Sequence, residues 1–455
     1  MPRPPTTPDL TTLWYFYLPL ALSGIMMSAG QPIVHAGLAR LESPELVLAA
    51  YGVAAYVAVL LEAPIIMLLP AANALVANEA SYRLTRNFML AMNAFLTVLT
   101  ALVAFWTPLY NLMFMTLLQF PTEVAQAARP ALMVLILWPG LIGIRRFYQG
   151  ILIRFGNTRI VGLGTVGRLA TMIFTLLMGI WFFPEHGVLV GGVALASGVF
   201  ADTTIAVISA RRLLITGALR QETEPTPEAA KDIRAFSRFF LPLAITSTLR
   251  IIARPLLLSG IARSYLPMLP LAAFPVALGT TQLAAGHLQM MQQVVVAKVR
   301  DGTSFRVVTR FTYLVAGGSS ALLALIALSP LSNLYHGTII GLTGPMLGMA
   351  NMALLLLVFM PLLTGLQAYH QGLLIRVGRT IPVNIAALMN VLLLVTTVNV
   401  VAVNTQWPGH LIAAVVLPLA LAIEVLLLRY WTKPVVWELA TGTPKRKKTD
   451  AEHPI

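Results

Sequence analysis

Arg250 and Arg254 stand four residues apart in the apolar stretch ITSTLRIIARPLLLSG, so on an α-helix their guanidinium groups share one face. Planar guanidinium forks donate to the oxygens of a carboxylate or phosphate two at a time, and two forks on one face repel unless an anion joins them. At about 1.5 Å per residue, Arg250 lies roughly 18 Å along its helix from Arg238. The pair either holds an anionic solute, pairs with a buried acid such as Glu62 or Asp202, or snorkels to a surface. Its counterparts in the repeat described below, Met27 and Gln31, carry no charge.

Other polar groups are set among apolar residues. Arg145 and Arg146 are adjacent, so at most one points directly into a shared cavity; the alternative to a substrate or gating role is a salt bridge inside the helix bundle. Glu62, in YVAVLLEAPIIMLLP, is either a coupling acid or a counter-ion for one of the arginines. His35, His287 and His370 are candidate titrating groups or hydrogen-bonded packing residues. Gln149 and Gln371 suit substrate contact or helix-to-helix hydrogen bonding. Arg40 and Arg263 fall at the outer ends of their helices and form either an external gate or a lipid-phosphate contact.

The elements that must position these groups are membrane helices. The 455 residues are 58% hydrophobic and 11% charged, with a mean hydropathy of +0.80, a surplus of apolar surface that lipid accommodates and water does not. Twelve segments of spanning length are expected near residues 13–38, 45–77, 87–106, 129–152, 160–182, 187–213, 236–261, 266–297, 309–330, 348–374, 381–403 and 409–431. The first apolar run is too long for a cleaved signal core and is expected to be retained.

Lysine and arginine gather in alternate connections, which predicts that both termini face the cytoplasm of a cell membrane. The same rule accounts for the net charge of +14, so nucleic acid is not expected as a partner. With no cysteine there is no disulfide or thiolate site. No phosphate loop, HExxH pair or GxSxG elbow is present, so no catalytic residue, cofactor or metal is expected.

A shift of 223 residues sets FYLPLALSGIMMSAGQPIVHAGLARL, from Phe16, against FFLPLAITSTLRIIARPLLLSGIARS, from Phe239. Nine of the 26 positions agree, where about two or three are expected by chance in such apolar sequence. A shift of 222 aligns Gln149, Gly150, Leu152, Ile153 and Arg154 with Gln371, Gly372, Leu374, Ile375 and Arg376. Six helices per copy insert in the same direction, so the two lobes should be related by an axis along the membrane normal, with a cavity between them. The expected organisation is an N-lobe at 1–213, a cytoplasmic linker at 214–235, a C-lobe at 236–432 and a basic cytoplasmic tail at 433–455. Pro19, Pro32, Pro139, Pro242, Pro255, Pro275 and Pro361 interrupt the spans, as hinges for rocking or as static packing points.

The FxLPLA start of the first and seventh helices, and QGxLIRxGxT at the end of the fourth and tenth, resemble the multidrug/oligosaccharidyl-lipid/polysaccharide (MOP) exporter superfamily. Within it the chain is most similar to the progressive ankylosis protein family, through Phe16, Pro19, Leu20, Gly37, Tyr51, Gly52, Arg250, Ile251, Arg254 and Pro255. The resemblance implies an all-α, MATE-like fold of two six-helix lobes, alternating access, and small polyvalent anions such as pyrophosphate, nucleotide phosphates or citrate as substrates. Cation-coupled extruders of the superfamily usually carry an acid in the first helix; here that helix offers Gln31 and His35, which puts coupling at that position in doubt.

Export of a small anionic solute is therefore the leading expectation, with membrane lipids as the other partner. A flippase for a lipid-linked saccharide would need a basic cavity that opens sideways, and a cation-coupled multidrug extruder would need a cavity dominated by acids. A non-transporting receptor needs no paired lobes with buried charge.

Overall fold

A computed structural model of the chain describes residues 9–215, 226–227 and 230–441. Most of the expected linker and the basic end of the tail, with Lys445, Arg446, Lys447 and Lys448, lie outside the described residues. The first six spans are α1 (Leu10–Leu38), α2 (Pro44–Leu75), α3 (Glu79–Phe105), α4 (Thr122–Arg154), α5 (Arg159–Phe182) and α6 (Pro184–Ile215). The second six are α7 (Ile233–Ala262), α8 (Met268–Lys298), α9 (Gly302–Leu328), α10 (Gly344–Leu356 with Met360–Arg376, bent by 42°), α11 (Ile381–Asn404) and α12 (Gly409–Trp437). The chain is an all-α integral membrane protein of two six-helix lobes.

Several helices begin earlier than hydropathy alone suggests, because their first turns are polar but well capped. Asn78 accepts from the Ser81 amide while Ser81 returns a bond to the Asn78 backbone, and Asp301 and Ser304 do the same at the start of α9. Each such cap contributes about 1 kcal/mol. Both fall at matched places in the repeat, and so do the departures from ideal helix.

Residues Ala63–Met67 of α2 and Gly286–Met290 of α8 tighten into 3₁₀ turns. In α2, Pro64 removes a backbone donor. The matching place in α8 holds His287; there α1 crosses so closely that a Cβ on Gly24 would lie 2.8 Å from the His287 Cα. Breaks at Leu135–Leu137 in α4 and at residues 357–359 in α10 precede Pro139 and Pro361. Left-handed residues recur as well: Ser43 (φ 51°) with Leu266 (φ 50°), and Gln119 (φ 53°) with Gly341 (φ 96°).

The lobes meet along α2 and α8, where Pro275 packs against Gly52. Each lobe's first helix lies partly on the other lobe. Tyr17 of α1 packs edge-on against Phe311 of α9, ring centroids 5.5 Å apart, and its hydroxyl donates to the His287 carbonyl at 3.3 Å. On α7, Phe240 packs against Phe88 of α3 at 4.9 Å, and the Ser247 hydroxyl donates to the Ala63 carbonyl at 2.7 Å. The outward surface is apolar, with Phe174, Leu177 and Trp181 of α5 and Leu322, Leu325 and Leu328 of α9 exposed, as a lipid-facing belt requires.

Candidate functional site

Pro255 cannot donate to the Ile251 carbonyl, and α7 is interrupted at Ile252, between its two intramembrane arginines. Arg250 and Arg254 both face a cavity of about 260 Å³ lined by α7, α8, α10, α11 and α12. Its polar lining is completed by Gln282 and Gln289 of α8, Thr364 and Gln367 of α10, Asn390 of α11 and Glu424 of α12. Neither arginine forms an ion pair among the described residues. Arg254 donates to the Gln282 side chain at 3.5 Å, and its guanidinium carbon stands 5.8 Å from the ring centre of Tyr56, on α2 of the opposite lobe.

A second cavity, also of about 260 Å³, shares Arg254, Gln282 and Gln289 and reaches Met27, Ser28 and Gln31 of α1. Gln31 accepts from the Tyr51 hydroxyl at 3.3 Å. One cavity therefore lies inside the C-lobe, and a second of similar volume lies between the lobes, where the repeat suggests one. Arg254 stands where the two volumes join.

The N-lobe treats its charges differently. Arg145 Nη1 pairs with Asp202 Oδ2 at 2.7 Å, with side chains 7% and 2% exposed, the buried salt bridge that stands as the alternative to a substrate or gating role. A guanidinium at that depth requires such a partner, because an unpaired buried charge costs several kcal/mol. Gln149 donates to Asp202 Oδ1 at 3.3 Å. Arg146, Arg168 of α5 and Glu62 lie within Coulombic range of this pair, giving three guanidiniums to two carboxylates. Arg145 Nε, Arg146 Nε and Glu62 Oε2 are buried without a hydrogen-bond partner.

The C-lobe carries the same couple with a different environment. Gln371 donates to Glu424 Oε1 at 3.3 Å and Asn390 donates to Glu424 Oε2 at 2.7 Å. By the shift of 222, Gln371 matches Gln149 and Glu424 matches Asp202, while Gln367 and Asn390 replace Arg145 and Arg168. Glu424 and Arg168 join the candidate residues from the structure, and an acid alone in ALAIEVLLLRY is the same sequence signal that marks Glu62.

The histidines make local contacts. His35 is buried edge-on to Tyr51, His287 shares a hydrogen bond with Ser319 at 3.1 Å, and His370 shares one with Thr432 at 2.9 Å. Arg40 donates across the lobe interface to the carbonyls of Thr338 (3.0 Å), Ile339 (2.8 Å) and Ile340 (3.0 Å), and to Ala36 on its own helix. Arg263 reaches the opposite way, to the Leu117 carbonyl at 3.2 Å. Among the described residues no group of three or more His, Asp or Glu side chains is arranged to hold a metal ion.

Residues 3–291 match the progressive ankylosis protein family. The chain belongs to that family. The matched stretch covers α1 to α7 and most of α8, so Arg250 and Arg254 fall inside it while Glu424 falls beyond it. A comparison with curated protein sequences finds no match.

Solved structures with the same fold include an inward-facing multidrug-resistance MATE transporter of the MOP superfamily (16% identity, TM-score 0.64, covering 95% of this chain and 96% of that one). The lipid II flippase MurJ in an inward closed conformation aligns at 14% identity and a TM-score of 0.66, over 95% of this chain and 89% of its own. A MOP transporter from Pyrococcus furiosus, described as having a binding pocket of reversed polarity, aligns at 16% identity and a TM-score of 0.59, over 95% and 97%. This progressive ankylosis family member thus has the fold that these solved transporters share.

Proposed function

We propose that the chain exports small organic or phosphate anions, of the citrate, pyrophosphate or nucleotide phosphate class, across the cell membrane by alternating access, with both termini in the cytoplasm. The carrying observation is the pair Arg250 and Arg254, which face the cavity without a fixed carboxylate partner. Two guanidiniums against one Glu424 leave the lining net positive, the reverse of what a cation-coupled drug extruder needs. Gln31 extends the wet surface into the N-lobe, and Arg40 with Arg263 serve as the outer gate. Glu62, beside three guanidiniums, acts as counter-ion and is the candidate for coupling.

Purified protein in liposomes is expected to move labelled citrate, pyrophosphate or ATP, and Arg250→Ala or Arg254→Ala to abolish that flux. Wild-type rates in both variants reject the site.

Lipid-linked saccharide flipping is the second reading. A crevice of about 160 Å³ runs between α7 and α11 along Leu249, Asn384, Ile385 and Leu388 and ends at Arg250. Its apolar side chains are exposed on the lipid-facing surface, as a lateral entrance requires. The lining contains no aromatic ring for a sugar to stack on, which favours the small-anion reading.

A further inference from the structure

Glu424 is an acid inside a cavity that two arginines equip for anions. It lines that cavity with Arg250 and Arg254 and has no ion pair among the described residues. Two amides clamp it, so it cannot swing away. An ionised carboxylate offers about four acceptor sites, and the two amides take one on each oxygen. The remaining acceptor capacity can be met from the cavity.

The duplicated fold supplies its own comparison. In the N-lobe the matching acid, Asp202, takes its second donor from Arg145. In the C-lobe the corresponding position is Gln367, which lines the cavity and makes no bond to Glu424. Each acid carries one protein donor on each oxygen, but in the N-lobe one of the two is a guanidinium that offsets the charge, whereas in the C-lobe both are neutral amides and the charge is left for the cavity's occupant to meet. Arg250 is within Coulombic range of Glu424 but not paired with it. Among the other helices packed against α12, His370 is engaged by Thr432, His287 by Ser319 and Tyr369 by Thr309, and α11 carries no ionisable side chain.

We propose that Glu424 is a specificity residue that selects organic anions bearing a hydrogen-bond donor, a hydroxyl or an amine close to the acid group, over polyanions made of acceptors alone. The acid groups of the ligand go to Arg250 and Arg254, and its donor goes to Glu424. A fully ionised polyanion without a donor meets the carboxylate's charge with nothing to offset it, and buried polar groups left unpaired are what give such sites their discrimination. This inference rests on the anion reading above.

The test is equilibrium binding to the purified full-length protein in sodium-free, chelator-treated buffer, at alkaline pH where the probes' carboxyls are all ionised. Citrate is compared with tricarballylate, the same tricarboxylate lacking the hydroxyl, malate with succinate, and pyrophosphate stands as the acceptor-only polyanion. Wild type is expected to favour each hydroxylated probe on the order of tenfold to a hundredfold. Glu424→Gln is expected to bring both ratios close to one, chiefly by tightening tricarballylate and pyrophosphate. Gln367→Arg, which rebuilds the N-lobe arrangement, is expected to do the same and serves if Glu424→Gln fails to fold. Equal wild-type affinity within each pair, or ratios that survive both substitutions, overturn the role of Glu424 while leaving the anion site standing. Absence of binding by every probe, with no effect of Arg250→Ala, is instead the failure of the anion reading.

Discussion

Arg40 and Arg263 are repeat mates that reach in opposite directions across the lobe interface, each into the backbone carbonyls of a π-helical turn in the other lobe: Leu334–Ile340 for Arg40 and Leu112–Leu117 for Arg263. The two clasps are unequal. Arg40 engages three carbonyls across the interface and Arg263 one. Hydrogen bonds from a charged donor contribute about 1.5–3 kcal/mol each before screening, so the Arg40 clasp is the stronger.

Arg40→Ala is therefore expected to open the outer face more than Arg263→Ala. Because the chain has no cysteine, a single Gln282→Cys provides an uncluttered reporter in the cavity. Labelling by a membrane-impermeant thiol reagent added outside should rise several-fold in Arg40→Ala and less in Arg263→Ala. Equal labelling in wild type and both variants would remove the clasp from the gate.

Separating Arg145 from Asp202 is expected to damage the fold rather than substrate affinity. Removing one member strands the other in a buried site, at a cost of about 3–5 kcal/mol. Arg145→Met and Asp202→Leu should each lower the unfolding temperature in detergent, and the double variant should recover most of the loss. A double variant as unstable as the worse single one would show that Arg146, Arg168 and Glu62 need the pair intact.

Arginine at 250 and 254 is expected to be needed for its fork and not for charge alone. Lysine keeps the charge as a point and loses the planar two-donor geometry. Arg250→Lys and Arg254→Lys should each retain folding but weaken anion binding on the order of tenfold, an effect calorimetry resolves. Undiminished affinity in both lysine variants would make the cavity a diffuse positive field.

An acid-range difference between the lobes should appear at their third helices. Backbone and side-chain hydrogen bonds from Ser304 hold the Asp301 carboxyl below its ordinary value of 3.8. A carboxyl with a depressed folded-state value stabilises above the unfolded value and loses that contribution as pH falls through the folded one. Amide exchange at Thr303 and Ser304 should therefore accelerate, relative to neighbouring turns, as pH falls below 3.8. At the start of α3 the cap is Asn78, which does not titrate, so Ser81 should show no such change. Asp301→Asn should make the two ends alike.

Much of the architecture is legible in the sequence because membrane helices announce themselves by length and apolarity, and because the repeat sets equivalent residues at fixed separations. FxLPLA and QGxLIRxGxT locate the matched helices, and the distance from Arg238 puts Arg250 deep in its span before any coordinate is known. Side-chain partnership is less accessible. Arg145 and Asp202 are 57 residues apart on helices that the sequence cannot bring together, so a buried pair and an open binding group look the same there. The cavity inside the C-lobe has the same origin, since its lining holds Gln367 and Asn390 where the other copy has arginines. Glu424 was within reach: the register that aligns Gln149 with Gln371 also aligns it with Asp202.

The exchange of first helices bears on how the transporter is made and how it moves. Phe240 of α7 is seated against Phe88, and Tyr17 of α1 against Phe311, so each half holds a piece of the other's wall. A six-helix fragment alone would lack the seat that the other half provides for its first helix. The same interlocking turns α1 and α7 into cranks: neither lobe can swing without dragging a helix that its neighbour holds.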